Sequence, residues 1–94
     1  MVNELIVEKG KLQNKIQMKK AEILSLKHLI SIQETSLLLN TDFKELGLTN
    51  EKQRTAYIND KLREKREELD WLKYDLTVLE NDIIILNDLI NKGE

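Results

Sequence analysis

Ile58, Leu62, Lys65, Leu69, Leu72, Leu76, Leu79, Ile83, Leu86 and Ile90 follow one another at alternating intervals of four and three residues, and all but Lys65 are apolar. A line averaging 3.5 residues drifts around a straight α-helix, so it stays against a partner only where helices wind around each other in a left-handed supercoil. The spacing therefore predicts a coiled-coil seam with another helix along its length. A line of the same period near the N-terminus, Leu5, Leu12, Ile16, Lys19, Ile23, Leu26, Ile30, Gln33 and Leu37, predicts that second helix. Lys19 and Gln33 are polar members, a choice that commonly gives up stability for register. Gly10 costs about 1 kcal/mol relative to Ala inside a helix, and the first ten residues are expected to fray.

Between the seams the pattern breaks into turn and cap chemistry. Thr41 or Asp42 can cap a single turn through Phe43 and Leu46, which Gly47 can end in the left-handed conformation. Phe43, Leu46 and Leu48 are then expected to plug the end of the bundle. Asn50 followed by Gln53 reads as an N-cap with a capping-box partner, and Glu51 suits the positive end of a helix. Helix 1 is thus expected over about residues 3–39, an ordered turn over 40–50 and helix 2 over about 51–91. A short ordered connection makes the helices antiparallel neighbours. The prediction is an all-α fold: one coiled-coil hairpin domain spanning residues 1–94.

Assigning heptad positions shows an asymmetry between the two sides of the seam. With a at Ile16 and Leu62, the g and c positions carry Met18, Leu29, Ile32 and Leu39 from helix 1 and Trp71, Val78, Ile85 and Leu89 from helix 2. The outward Tyr74 stands beside Trp71 and can keep its hydroxyl in water. The e and b side carries Gln13, Gln17, Lys20, Lys27 and Glu34 against Arg63, Arg66, Lys73 and Glu80, and is expected to face water. So large an apolar stripe marks a contact surface. Two hairpins joined along it would form a four-helix bundle, which makes a homodimer the expected assembly; a foreign protein is the other candidate occupant.

Size and composition agree with that picture. A chain of 94 residues buries a modest share of its surface alone, and 34% charged residues, three Gly and no Pro suit long helices. Its formal charge of −2 argues against a surface given over wholly to nucleic acid or anionic lipid. Residues 9 to 27 hold six Lys and one Glu, and residues 68 to 88 hold six acids and one Lys, stretches that an antiparallel hairpin lays side by side. Finer pairing is mixed: Lys15 with Asp82 and Lys20 with Glu80 attract, while Glu22 with Asp75 and Lys27 with Lys73 repel.

Candidate chemistry is sparse. There is no Cys, so disulfides and thiolate metal sites are excluded. The one His, His28, has no carboxylate one turn away, and no Glu-x-x-His pair is present. Neither an enzyme nor a cofactor is expected. No apolar run approaches the ~20 residues that span a bilayer, the N-terminus does not read as a signal peptide, and a cytoplasmic location is expected. Lys52, Arg54, Lys61, Arg63, Lys65 and Arg66, against Asp60 and Glu64, give residues 52 to 66 a net charge of +4. Such a cluster can grip phosphates, so nucleic acid is a second candidate partner, although i,i+4 pairing with the interleaved acids also accounts for the charges.

The stretch Asp42-Phe43-Lys44-Glu45-Leu46-Gly47-Leu48-Thr49-Asn50-Glu51-Lys52-Gln53-Arg54 carries a Gly-x-x-Asn-Glu-x-x-Arg spacing ahead of a long charged helix. In this it resembles small, largely uncharacterised helical-hairpin proteins of phages and prophages. The resemblance implies a phage accessory protein that binds a host or phage partner, and it singles out Arg54 beyond the cap.

Overall fold

The computed structural model describes residues 2–93 and contains two long helices, α1 (Val2–Asn40) and α2 (Glu51–Gly93). It is an all-α two-helix hairpin. Every position of both seams is buried or half-buried, which ties the 4-3 spacing in the sequence to the packing. The chain divides into two compact units, one built of Met1–Leu24 with Trp71–Glu94 and the other of Ser25–Asp70.

In the first unit, Ile16, Ile23, Leu86 and Ile90 are buried. Lys19 approaches Asp75 at 3.9 Å, and a Cβ placed on Gly93 would come within 2.9 Å of Val2 Cγ2. The partner position on α2 thus rises as that on α1 falls, so the two stretches run antiparallel. Gly93 permits this close approach at the helix end. α1 is helical from Val2 onward and continues through Gly10. Val2, Leu5 and Lys9 are half-buried in this stretch, and such tertiary packing offsets the cost of one helical glycine.

In the second unit the buried side chains are Leu26, Ile30, Ile58 and Leu62, with Leu62 only 2% exposed. Each fully buried aliphatic side chain contributes about 1.5–3 kcal/mol. Among the described residues no polar or charged residue is buried. The polar seam members Lys19, Gln33 and Lys65 are half-buried.

The turn between the helices belongs to the second unit. Of the two candidate caps, Asp42 is the one that acts: its Oδ1 accepts from the Glu45 amide at 3.1 Å. The turn closes through the Leu48 amide to the Phe43 carbonyl at 2.8 Å and the Gly47 amide to the Lys44 carbonyl at 3.1 Å, the paired bonds of a Schellman motif. Gly47 has φ of 74° there. A Cβ in this left-handed conformation meets the carbonyl oxygen that follows it, so Gly47→Ala is expected to cost about 1–2 kcal/mol. Urea titration would show this as a lowered midpoint at unchanged slope. An unchanged midpoint would mean that the turn reaches its geometry without a left-handed residue.

α2 starts as its capping residues require. The Gln53 amide donates to Asn50 Oδ1 at 2.9 Å, and Gln53 Oε1 accepts from the Thr49 amide at 2.9 Å, one residue before the cap. Phe43 and Tyr57 meet edge to face with centroids 6.1 Å apart. Phe43 and Leu48 are half-buried at this end, but Leu46 is exposed and takes no part in the expected plug. It is the last residue before the left-handed Gly47, and the Schellman turn leaves its side chain in solvent.

Candidate interaction surface

In the first unit the apolar row on the g and c flank lies on α2. Trp71, Val78 and Ile85 recur every seven residues and so share a face, with Leu89 one turn beyond. Trp71 is 68% and Ile85 60% exposed, and Tyr74, Val78 and Leu89 are exposed as well. Trp71 and Tyr74 pack edge to face with centroids 6.1 Å apart, a contact that orders two large rings in a position open to a partner. Beside them runs an open groove of about 640 Å³, lined by Lys15, Met18, Lys19, Glu22, Tyr74, Asp75, Val78 and Leu79.

The corresponding flank of α1 is of a different character. Its c and g positions in this unit are Glu4, Glu8, Lys11, Lys15, Met18 and Glu22, so only Met18 adds to the apolar surface. Lys11 pairs with Glu8 at 3.3 Å along the helix. Lys19 lies between Glu22 at 3.7 Å and Asp75 at 3.9 Å. A seam lysine therefore separates the two carboxylates that the sequence sets against each other. Neither Lys15 with Asp82 nor Lys20 with Glu80 forms a salt bridge among the described residues; Lys19 supplies the cross-helix contact of this unit instead.

The second unit reverses the arrangement. Here α1 presents Leu29, Ile32 and Leu39, all exposed and Leu39 to 79%, while the same flank of α2 carries Arg54, Tyr57, Lys61 and Glu64. His28 is exposed on α1. Gln33, Ser36, Leu37, Lys61 and Leu62 line a smaller depression of about 270 Å³.

Of the six basic residues in the 52–66 cluster, four are already engaged. The Arg54 guanidinium donates to the Thr49 carbonyl at 3.2 Å, joining the N-terminal cap. Lys61 Nζ stands 5.4 Å from the Tyr57 ring centroid, and Arg63 pairs with Asp60 at 3.2 Å. Arg66 reaches across to Glu34 at 3.2 Å, and its Nε is buried without a partner. Lys65 is half-buried in the seam and Lys52 is exposed. At 3.6 residues per turn, Arg54, Lys61 and Lys65 fall on one face of α2, and Lys52, Arg63 and Arg66 on the face roughly opposite. The six charges are thus divided between two faces of α2.

Several exposed apolar residues escaped the sequence reading. Leu24, Leu38 and Ile84 occupy b positions on the side expected to face water, and Ile6 and Val7 are exposed near the start of α1. The heptad assignment places the b residues on that side, but the charges interleaved with them masked the signal. Among the described residues no group of three or more His, Cys, Asp or Glu side chains is placed to hold a metal ion, and no helix is long and apolar enough to cross a membrane.

No family model, curated protein or solved structure matches this chain. The likeness of residues 42–54 to phage hairpins thus rests on those residues alone. In the structure Asp42, Gly47, Asn50, Gln53 and Arg54 all serve the turn and the caps.

Proposed function

We propose that this chain is a non-enzymatic interaction module that associates with itself, two hairpins forming a four-helix bundle with a structural or adaptor role in the cytoplasm. The observation that carries this reading is the row Trp71, Val78, Ile85 and Leu89, exposed along one face of α2 in a helix whose seam is already occupied. Contiguous apolar surface of this kind marks an interaction site. Burying one such side chain is worth about 1.5–3 kcal/mol, so a two-fold contact that uses each residue twice has ample driving force to offset the cost of association. The phage accessory role implied by the turn belongs to the same proposal and adds no residue to the surface.

Light scattering behind a sizing column tests the reading. The expected mass is twice the chain mass of 11.1 kDa and holds on dilution into the low micromolar range. A mass of one chain at every concentration would overturn self-association and assign the row to a foreign protein. Because the row is apolar, raised salt should leave the mass unchanged. A nucleic-acid role through Lys61, Arg63, Lys65 and Arg66 would instead appear as salt-sensitive retention of DNA or RNA, lost on substituting those four residues by Ala.

A further inference from the structure

We infer that two copies join by antiparallel contact of α2 with α2, centred on Val78. The inference rests on the self-association proposed above and adds its orientation and register. α1 of the first unit is a poor counterpart for the row, because its corresponding flank holds Glu4, Glu8, Lys11, Lys15 and Glu22 around a single Met18. The apolar row of a second copy is the matching surface that the chain itself supplies.

Charge then selects the orientation. A parallel contact in register would set Asp75 against the partner's Asp75 and Asp82 against the partner's Asp82. Like charges brought together at an interface oppose association. An antiparallel contact centred on Val78 sets Trp71 opposite the partner's Ile85, Ile85 opposite the partner's Trp71, and Val78 opposite itself. Tyr74 then faces the partner's Asp82, a phenol that can donate to a carboxylate, and Asp75 faces the partner's Asn81 amide. Between Trp71 and Ile85 no acid meets an acid; the one acidic pair, Glu68 with the partner's Asp88, falls beyond the ends of that stretch.

The neighbouring registers are worse. Slid one heptad toward the C-terminus, the acidic pair moves in beside the row, Asp75 facing the partner's Asp88, and Trp71 exchanges the partner's Ile85 for the partner's Lys92. Slid the other way, Ile85 passes beyond the partner's Trp71, where the row ends. Side chains on a helix lean toward its N-terminus. In the register centred on Val78 that lean carries the Trp71 ring between the partner's Ile85 and the partner's Leu89, which brings the fourth member of the row into the contact. The interface is isologous, each residue used once from either side.

The natural chain has no cysteine, so engineered thiols report the register without background. A disulfide needs Cα atoms within about 4.4–6.8 Å, and in an antiparallel two-fold pair only a residue on the axis faces its own copy at that distance. Oxidised Val78→Cys is therefore expected to run mainly as a covalent dimer and Ile85→Cys as a single chain. Trp71→Cys mixed with Ile85→Cys should give the crossed dimer. If the unmodified chain is dimeric by light scattering but Val78→Cys stays uncrosslinked, or if Ile85→Cys crosslinks to itself, the register is overturned and self-association stands. A monomeric unmodified chain overturns both.

Discussion

Ile85→Asp is expected to convert the proposed dimer into single chains of 11.1 kDa, while Ile84→Asp leaves it intact. Ile84 is 64% exposed and Ile85 60%, so exposure in the single chain does not distinguish them. Their place on the helix does. Ile85 shares the face of Trp71 and Val78, whereas its neighbour is turned about 100° away toward the side that carries Arg63 and Thr77. In a two-fold contact the substitution enters twice, and each copy loses an aliphatic burial of about 1.5–3 kcal/mol. Each also brings a carboxylate into apolar surroundings without a partner, at a cost of further kcal/mol. The combined loss exceeds the ~4 kcal/mol that corresponds to a thousandfold change in dissociation constant. Mass against concentration for the two variants is the measurement. A dimeric Ile85→Asp would remove the row from the interface, and a monomeric Ile84→Asp would move the interface to the flank of Leu24, Leu38 and Ile84.

The fold was legible because the seam spacing is a geometric constraint. Nine of the ten positions from Ile58 to Ile90 are apolar, and no other regular structure keeps that spacing on one face. The turn was legible for a similar reason, since Gly47, Asn50 and Gln53 each have a backbone role tied to residue type. What the sequence concealed was the choice among charged partners. Lys19 could be read as a destabilising interruption, yet in the structure its ammonium lies between Glu22 and Asp75. Arg66 reads as a phosphate ligand by composition, yet it reaches Glu34 on the facing helix. Long side chains choose partners by fractions of a kcal/mol, and such differences depend on rotamers and helix register that a one-dimensional pattern does not carry. The same limit applied at the surface, where Leu24 and Ile84 were outweighed by the charges around them.

Stability should be governed by different residues from association, and Leu62→Ala is the sharpest test of that separation. Leu62 is 2% exposed on the seam of the second unit, and shares the lining of a shallow depression with Gln33, Ser36, Leu37 and Lys61. Truncating a buried leucine removes its transfer free energy and leaves a void that the surroundings fill only in part, at a cost of about 2–5 kcal/mol. A domain of this kind holds only about 5–15 kcal/mol in all. Urea titration followed by circular dichroism should therefore show a large fall in midpoint for Leu62→Ala. Ile84→Ala, truncating an exposed side chain, should stay within about 0.5 kcal/mol of the natural chain. Both are compared at one protein concentration, because the stability of an associating chain depends on it. Below its transition the Leu62→Ala protein should still have the mass of two chains, since the proposed row lies on α2 in the first unit. If it is folded yet monomeric, the second unit contributes to the contact, and Leu29, Ile32 and Leu39 become the residues to substitute next.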